Sequence, residues 1–295
     1  MNQVKSNTAK YSLLKDIGLL VKVKLSITVL LSSVLSFVIF SDSNFNWYSF
    51  LFLLLGGALV TFAANALNQV IERDYDKLMI RTALRPIPDG RMNISFAVLL
   101  SGIFCTIGVI SLTLINPICG LLGMVSFLLY AFVYTPLKRY STIAVPVGAI
   151  PGALPILIGS VAAQGYISIE AFCLFGIQYL WQFPHFWAIA WMGHEDYSKA
   201  GFKLIKDLDG KPDPLFGIYS AVYAALSICF VYLFYSSSSI ALPILILLSI
   251  LIGIYTYLGY LLYKQNDRFS ARKLFFYSIA YLPLVLLLFT LNKIL

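Results

Sequence analysis

Apolar residues follow one another along this chain in runs too long for a soluble core, and short polar clusters separate the runs. A helix needs about 20 apolar residues to cross about 30 Å of hydrocarbon. Nine windows meet or approach that length: 25–41, 47–70, 94–114, 117–135, 143–163, 168–192, 214–235, 240–263 and 274–292. The pattern predicts an all-α, polytopic membrane protein with nine transmembrane helices, in which an N-terminal segment, 1–24, precedes a single membrane domain, 25–295. An odd number of spans puts the termini on opposite sides.

Composition narrows the class. Of 295 residues, 60% are apolar and 12% charged, about half the charge of an average soluble domain. A cytosolic α/β enzyme, a disulfide-stapled secreted module and a disordered tail are excluded. Cys105, Cys119, Cys173 and Cys229 lie far apart in apolar stretches, with neither a CxxC pair nor a His at metal-ligand spacing, and read as packing residues. No small-residue cleavage site follows Phe40, so the first span is expected to be retained.

The net charge of +8 reports orientation rather than nucleic-acid binding. Twenty of the 21 Lys and Arg residues fall in the N-terminal segment and in every second loop; only Lys293 breaks the pattern. The intervening loops (41–46, 115–116, 163–167 and 236–239) hold none. The basic face, and the N-terminus with it, is expected to be cytoplasmic and the C-terminus external. Acidic residues do not obey that rule, yet eleven of 13 gather on the same face, Asp42 and Glu170 excepted. Mixed charge at one membrane surface suggests chemistry there, since binding to anionic lipid needs no carboxylates. The two long loops on this face, 72–93 and 193–213, are four spans apart, which points to a duplicated four-helix unit without a residue-level repeat.

The second span runs into Asn65, Asn68, Glu72, Asp74 and Asp76. At helical spacing Asn68, Glu72 and Asp76 stack on one face, where two carboxylates and an amide oxygen suit Mg²⁺ shared with substrate phosphates. The plain alternative is a solvated helix end with pairs such as Arg73 with Asp76 and Asp74 with Lys77. Arg81 and Arg85 follow, one turn apart on a helix expected to continue until Pro86 breaks it, so that two guanidinium forks face the anion. Tyr134, Thr135, Lys138 and Arg139 mark another helix end on this face, suited to phosphate binding or to anchoring at the interface. The sixth span holds Trp181, Pro184, His185, Phe186 and Trp187. An intramembrane histidine is a functional candidate by default, against the plainer reading of a histidine hydrogen-bonded to a neighbouring helix. Trp181, His185, Ile189 and Asp196 share a helical stripe, expected to line an aromatic cavity that opens toward Glu195 and Asp196.

Together, Asn68-x3-Glu72-x3-Asp76, Met79-Ile80-Arg81-Thr82-x2-Arg85-Pro86, Tyr134-Thr135-Pro136-Leu137-Lys138-Arg139, Pro184-His185-Phe186 and Asp196-Tyr197-x2-Ala200-Gly201 resemble the UbiA-type intramembrane prenyltransferases over nearly all nine spans, in order. The acidic row marks the superfamily; the RTxxRP and PHF segments point to its haem-modifying branch. The resemblance implies transfer of a farnesyl group from farnesyl diphosphate to the vinyl group of haem B, with water adding a hydroxyl. It also implies service to terminal oxidases, with haem A synthase or the oxidase assembly as partners, in a cytoplasmic membrane if the source is bacterial. Three places depart from the family: Glu72 replaces the usual Asp, Ala144-Val145-Pro146 replaces an asparagine-containing stretch, and Phe202-Lys203-Leu204-Ile205 replaces a proline-containing continuation.

The expected mechanism is electrostatic. Mg²⁺ on Asn68, Glu72 and Asp76, with Arg81, Arg85, Lys138 and Arg139, neutralises the leaving diphosphate, and an apolar cavity shields the farnesyl cation. His185 either ligates the haem iron or acts on the incoming water. Tyr134 and Trp181 are expected at the substrates, and Glu195 and Asp196 at a second metal or at the propionates. The rival readings are a prenyltransferase for an aromatic quinone precursor, which shares the acidic rows, and a secondary transporter, whose ionisable groups belong near the bilayer midplane.

Overall fold

The computed structural model describes residues 12–43, 45–238 and 240–294; Lys5, Lys10 and Ser239, which enter the charge pattern, lie outside them. A short helix α1 (Leu13–Leu20) leads into α2 (Val23–Phe40), α3 (Trp47–Asp76) and α4 (Ile94–Ile115). The fourth window is composite: α5 (Pro117–Leu128) continues through a π-helical segment, Leu129–Tyr134, into a single turn, α6 (Thr135–Leu137). Then come α7 (Ala144–Gln164), α8 (Ile169–Met192), the short α9 (His194–Lys199), a hairpin of β1 (Asp207–Leu208) and β2 (Lys211–Pro212), and finally α10 (Leu215–Ser237), α11 (Leu242–Gln265) and α12 (Arg268–Ile294).

Each apolar window has become a long helix because hydrocarbon offers no partner for backbone N–H and C=O, which leaves internal bonding as the solution. Eight of the described helices are long and apolar enough to cross a membrane. The remaining window, α8, is a 24-residue helix whose Gln178, Gln182, Pro184 and His185 dilute its apolar character. Along α4, Leu99, Ile103, Ile107, Ile110 and Leu114 form an exposed aliphatic stripe of the kind that suits lipid contact. The chain is a multi-pass integral membrane protein.

Core residues fall into two large clusters. One joins Phe37, Leu53, Val60, Cys105, Leu112 and Phe127 of α2 to α5; the other joins residues of α8, α10, α11 and α12, among them Leu174, Leu248, Tyr255 and Tyr281. Between them runs α7, the most enclosed span. One of its prolines frees a backbone carbonyl that a neighbour satisfies: Pro155 leaves Pro151 O without a helical donor, and Ser126 Oγ donates to it at 3.3 Å. Gln178 Nε2 reaches Gly152 O at 2.7 Å, and Gln182 Nε2 reaches Ala149 O at 2.9 Å. A Cβ on Gly159 would strike the backbone of Ser33, so glycine is what lets α2 and α7 touch.

Helix α3 sets the stage for the site. Its 30 residues extend about 45 Å, half as long again as the hydrocarbon is thick, so its last turns leave the apolar layer. At the opposite end of the bundle Lys293 donates to Val38 O at 2.8 Å and to Ser41 O, placing a cation on the C-terminal carbonyls of α2.

Candidate active site

Asn68, Glu72 and Asp76 are 1%, 5% and 0% exposed, which removes the solvated helix end as an account of this row. Each has a cation against it. Lys22 Nζ donates to Asn68 Oδ1 at 2.7 Å, Lys138 pairs with Glu72, and Arg85 Nη1 binds Asp76 Oδ2 at 2.6 Å. Asn68 Nδ2 in turn donates to Thr135 Oγ1 at 3.0 Å, tying α3 to the turn after the π-helical segment. That segment also positions Tyr134, whose ring packs on Gly148 where a Cβ would not fit, and Lys138, whose ammonium lies 4.8 Å from the centre of the Tyr134 ring.

Lys22 is the residue the sequence concealed. It sits between α1 and α2 with φ of 51°, a left-handed conformation rare outside glycine, and this break separates the two helices. The fold holds it there: Gln69 Nε2 donates to Leu19 O at 2.8 Å and Asn65 Nδ2 to Val21 O at 3.3 Å. Burial, reinforced by the nearby Arg85 guanidinium, pushes its ammonium down to about 7. In the sequence Lys22 is one basic residue in a run that orientation alone explains; its phase against Asn68 depends on a backbone kink that no local signal announces.

Beyond Asp76 the expected helix does not continue. Residues 77–92 form successive turns, because Thr82 Oγ1 takes Asp76 O at 2.8 Å and the chain bends back over buried Met79 and Thr82. Arg81 and Arg85 therefore diverge instead of sharing a helical face. Arg85 returns to Asp76, whereas Arg81 Nη2 donates to Tyr197 OH at 2.7 Å on α9. Arg139 lies 3.9 Å over the Tyr75 ring and donates to its hydroxyl, while its buried Nε has no hydrogen-bond partner. Tyr140, Phe202, Lys203, Lys206, Phe216 and Tyr219 are among the residues lining a cavity of about 720 Å³.

The other predicted residues are not gathered at the row. Gly193 ends α8, so the stripe from Trp181 to Asp196 stops there and α9 starts a new direction. Glu195, with its side chain 85% exposed, pairs with Lys199 on its own helix at 2.7 Å, a bond that draws its carboxyl below the usual range. His194 Nε2 meets Asp207 Oδ2 at 2.7 Å. Among the described residues no three His, Cys, Asp or Glu side chains converge, so Glu195 and Asp196 do not join Glu72 and Asp76 in one ligand set. His185 faces α12: its ring stacks with Trp181 at 5.0 Å and with Phe275 at 5.4 Å, and its Nδ1 lies 2.7 Å from Ser278 Oγ.

The row's chemistry suits a divalent cation. Asp76 Oδ1 is buried without a hydrogen-bond partner, an expensive state for a carboxylate oxygen unless a cation takes its lone pair. Two carboxylates and an amide also match the sparse protein ligation of Mg²⁺, whose remaining positions go to phosphate and water.

A profile of the UbiA prenyltransferase family matches residues 29–280. Among curated proteins, the protoheme IX farnesyltransferase of Christiangramia forsetii is 37% identical over 297 residues, covering 99% of this chain and 98% of that one. Among solved structures, a digeranylgeranylglyceryl phosphate synthase superposes with a TM-score of 0.80 at 21% identity, over 95% of this chain and 98% of that one. A UbiA homologue from Archaeoglobus fulgidus bound to DMAPP and Mg²⁺ superposes with a TM-score of 0.69 at 16% identity, over 91% and 99%.

Proposed function

The chain belongs to the UbiA prenyltransferase family, and we propose that it farnesylates haem B, taking the isoprenoid from farnesyl diphosphate and releasing haem O and diphosphate. The allylic C–O bond breaks, the terminal vinyl carbon bonds to farnesyl C1, and water adds to the neighbouring carbon with loss of a proton. A near full-length relative named for this transfer supports the acceptor. The observation that carries the donor is the buried row Asn68, Glu72, Asp76 with Lys22, Lys138 and Arg85 set against it.

A divalent cation held by Asn68, Glu72 and Asp76 would neutralise the diphosphate as it leaves. The chain supplies the rest. Arg85, Lys138 and Lys22 exchange their protein partners for phosphate oxygens, and Arg139 adds its unpartnered Nε–H. Arg81, held by Tyr197, links the turns after α3 to α9, and Asp196 on that short helix is assigned to the rim of the same site, with Glu195 beside it. Because these groups are fixed before the bond breaks, they stabilise the departing charge without reorganising. Tyr134 and Trp181 present aromatic faces to the farnesyl and haem ligands, and His185 lies along the haem. By its basic loops the site faces the cytoplasm, and the product suits a haem A synthase or a terminal oxidase.

The test is to incubate membranes containing the protein with haem B, farnesyl diphosphate and Mg²⁺ and look by mass spectrometry for hydroxyethylfarnesyl haem. Prenylation of an aromatic acid or phenol in place of haem would overturn the acceptor and keep the donor.

A further inference from the structure

Ser278 of α12 is fully buried, and its hydroxyl lies 2.5 Å from Phe275 O. Two oxygens approach that closely only with a hydrogen between them, and the carbonyl has none to give, so the single Ser278 proton points to Phe275. The same hydroxyl oxygen lies 2.7 Å from His185 Nδ1. With its proton already directed elsewhere it can only accept, so the hydrogen in that contact belongs to the imidazole. His185 is then the Nδ1–H tautomer, and Nε2 carries an unshared pair.

The surroundings decide what that pair is for. Trp181 and Phe275 both stack on the ring, at interplanar angles of 22° and 25°, and Ser278 takes Nδ1, so Nε2 is the nitrogen left for a ligand. Trp181 is itself held, its Nε1 donating to Ser278 O at 2.7 Å and its carbonyl accepting from Tyr255 OH at 3.0 Å. A general base needs its imidazolium stabilised once it takes a proton, usually by a carboxylate behind the ring. Here the group behind the ring is a neutral hydroxyl, and the flanking faces are aromatic. Ligation of a metal keeps the imidazole neutral, and ligating histidines characteristically donate their other N–H to a fixed oxygen.

We propose that Ser278 is a positioning residue for the haem substrate: it fixes the His185 tautomer and ring plane so that Nε2 is presented to the haem iron as a neutral axial ligand. Iron ligation, rather than activation of water, is then the work of His185, and α12 takes part in acceptor recognition through one hydroxyl. This rests on haem being the acceptor.

The chain has two histidines, so histidine-selective ¹⁵N labelling of the full-length protein in nanodiscs gives an interpretable spectrum once His194→Gln assigns the pair. A protonated Nδ1 and bare Nε2 are expected at His185 before haem is added. The reverse tautomer would overturn the proposal without any variant of Ser278 needing to fold. In haem titrations followed by the Soret band, Ser278→Ala should weaken binding roughly 10- to 100-fold, the usual cost of losing an outer-shell partner. It should also shift the spectrum away from histidine ligation, with affinity for a farnesyl thiodiphosphate analogue unchanged. Ser278→Thr, which keeps the hydroxyl, should restore both haem readouts. Wild-type haem affinity and spectrum in Ser278→Ala would overturn the positioning role; the same result in His185→Ala would overturn ligation while leaving haem as substrate. No Soret response in the unaltered protein would overturn this proposal together with the haem reading.

Discussion

The two acidic segments at the charged end of the bundle look alike in sequence and differ in everything that confers chemistry. At the end of α3 the Glu72 side chain is 6% exposed and its partner Lys138 comes from the turn after α6; on α9 the Glu195 side chain is 85% exposed and its partner Lys199 is four residues away. The first pair holds distant parts of the chain together, and removing either member leaves a charge buried alone. The second is an exposed i,i+4 contact of the kind that adds little. Acidic residues are buried and matched here where the fold brings cations to them from elsewhere, and the row on α3 achieves this with Lys22, Arg85 and Lys138.

The sharpest break in that comparison is at Asp76. Asp76→Asn preserves shape but removes the charge that Arg85 faces and the unpartnered oxygen open to a divalent cation. Turnover should fall about 100-fold or more, the scale of losing one preorganised electrostatic contact to a leaving group. The Mg²⁺ concentration for half-maximal rate should rise with it. Wild-type turnover at limiting Mg²⁺ would show that burial of the row serves packing alone.

Lys22→Met keeps the stem and removes the ammonium that reaches Asn68. It should cost roughly 10-fold in kcat/KM for farnesyl diphosphate, about the worth of one charge-assisted hydrogen bond. The KM for haem should stay constant. Equal losses toward both substrates would reduce Lys22 to a structural clamp between α1 and α3.

The arginines come next. Arg85→Lys retains charge and loses the fork, and should lower kcat/KM by somewhat less than 10-fold, whereas Arg81→Lys, whose partner is the Tyr197 hydroxyl, should lose about 2-fold. The reverse order would mean that α9 and not α3 grips the diphosphate.

That order could not be read from the sequence, and the reason is physical. The spans were legible because the bilayer fixes their length and forces internal hydrogen bonding, so 47–70 and 143–163 emerge as α3 and α7 with little shift in their starts. The row was legible because Asn68, Glu72 and Asp76 belong to one helix, whose period fixes their common face. Where a position depends on distant partners, local spacing misleads. Arg81 and Arg85 are one turn apart only if a helix continues, and Thr82 ends it by capturing Asp76 O. Lys22 enters the site through a left-handed residue supported by Asn65 and Gln69 of another helix. The hairpin at Asp209-Gly210, both with positive φ, did carry a local signal, an Asp-Gly pair, within a loop otherwise read for its charges.

The smallest effect is expected at Glu195, and it tests the comparison from the weak side. Glu195→Gln removes the pair with Lys199 from a helix of six residues at the surface. Solvent and salt screen that contact, so its loss should change turnover and thermal stability by less than about 2-fold and 1 °C, the range in which exposed pairs contribute nothing measurable. Repeating the assay at low and high salt sharpens the result, because a screened pair responds to ionic strength while a group bound to substrate is held in a drier place. A 10-fold fall in kcat with unaltered stability would mean that α9 closes over the row once both substrates are bound, bringing Glu195 and Asp196 to the diphosphate. The two acidic segments would then be halves of one site that differ only in the unliganded protein.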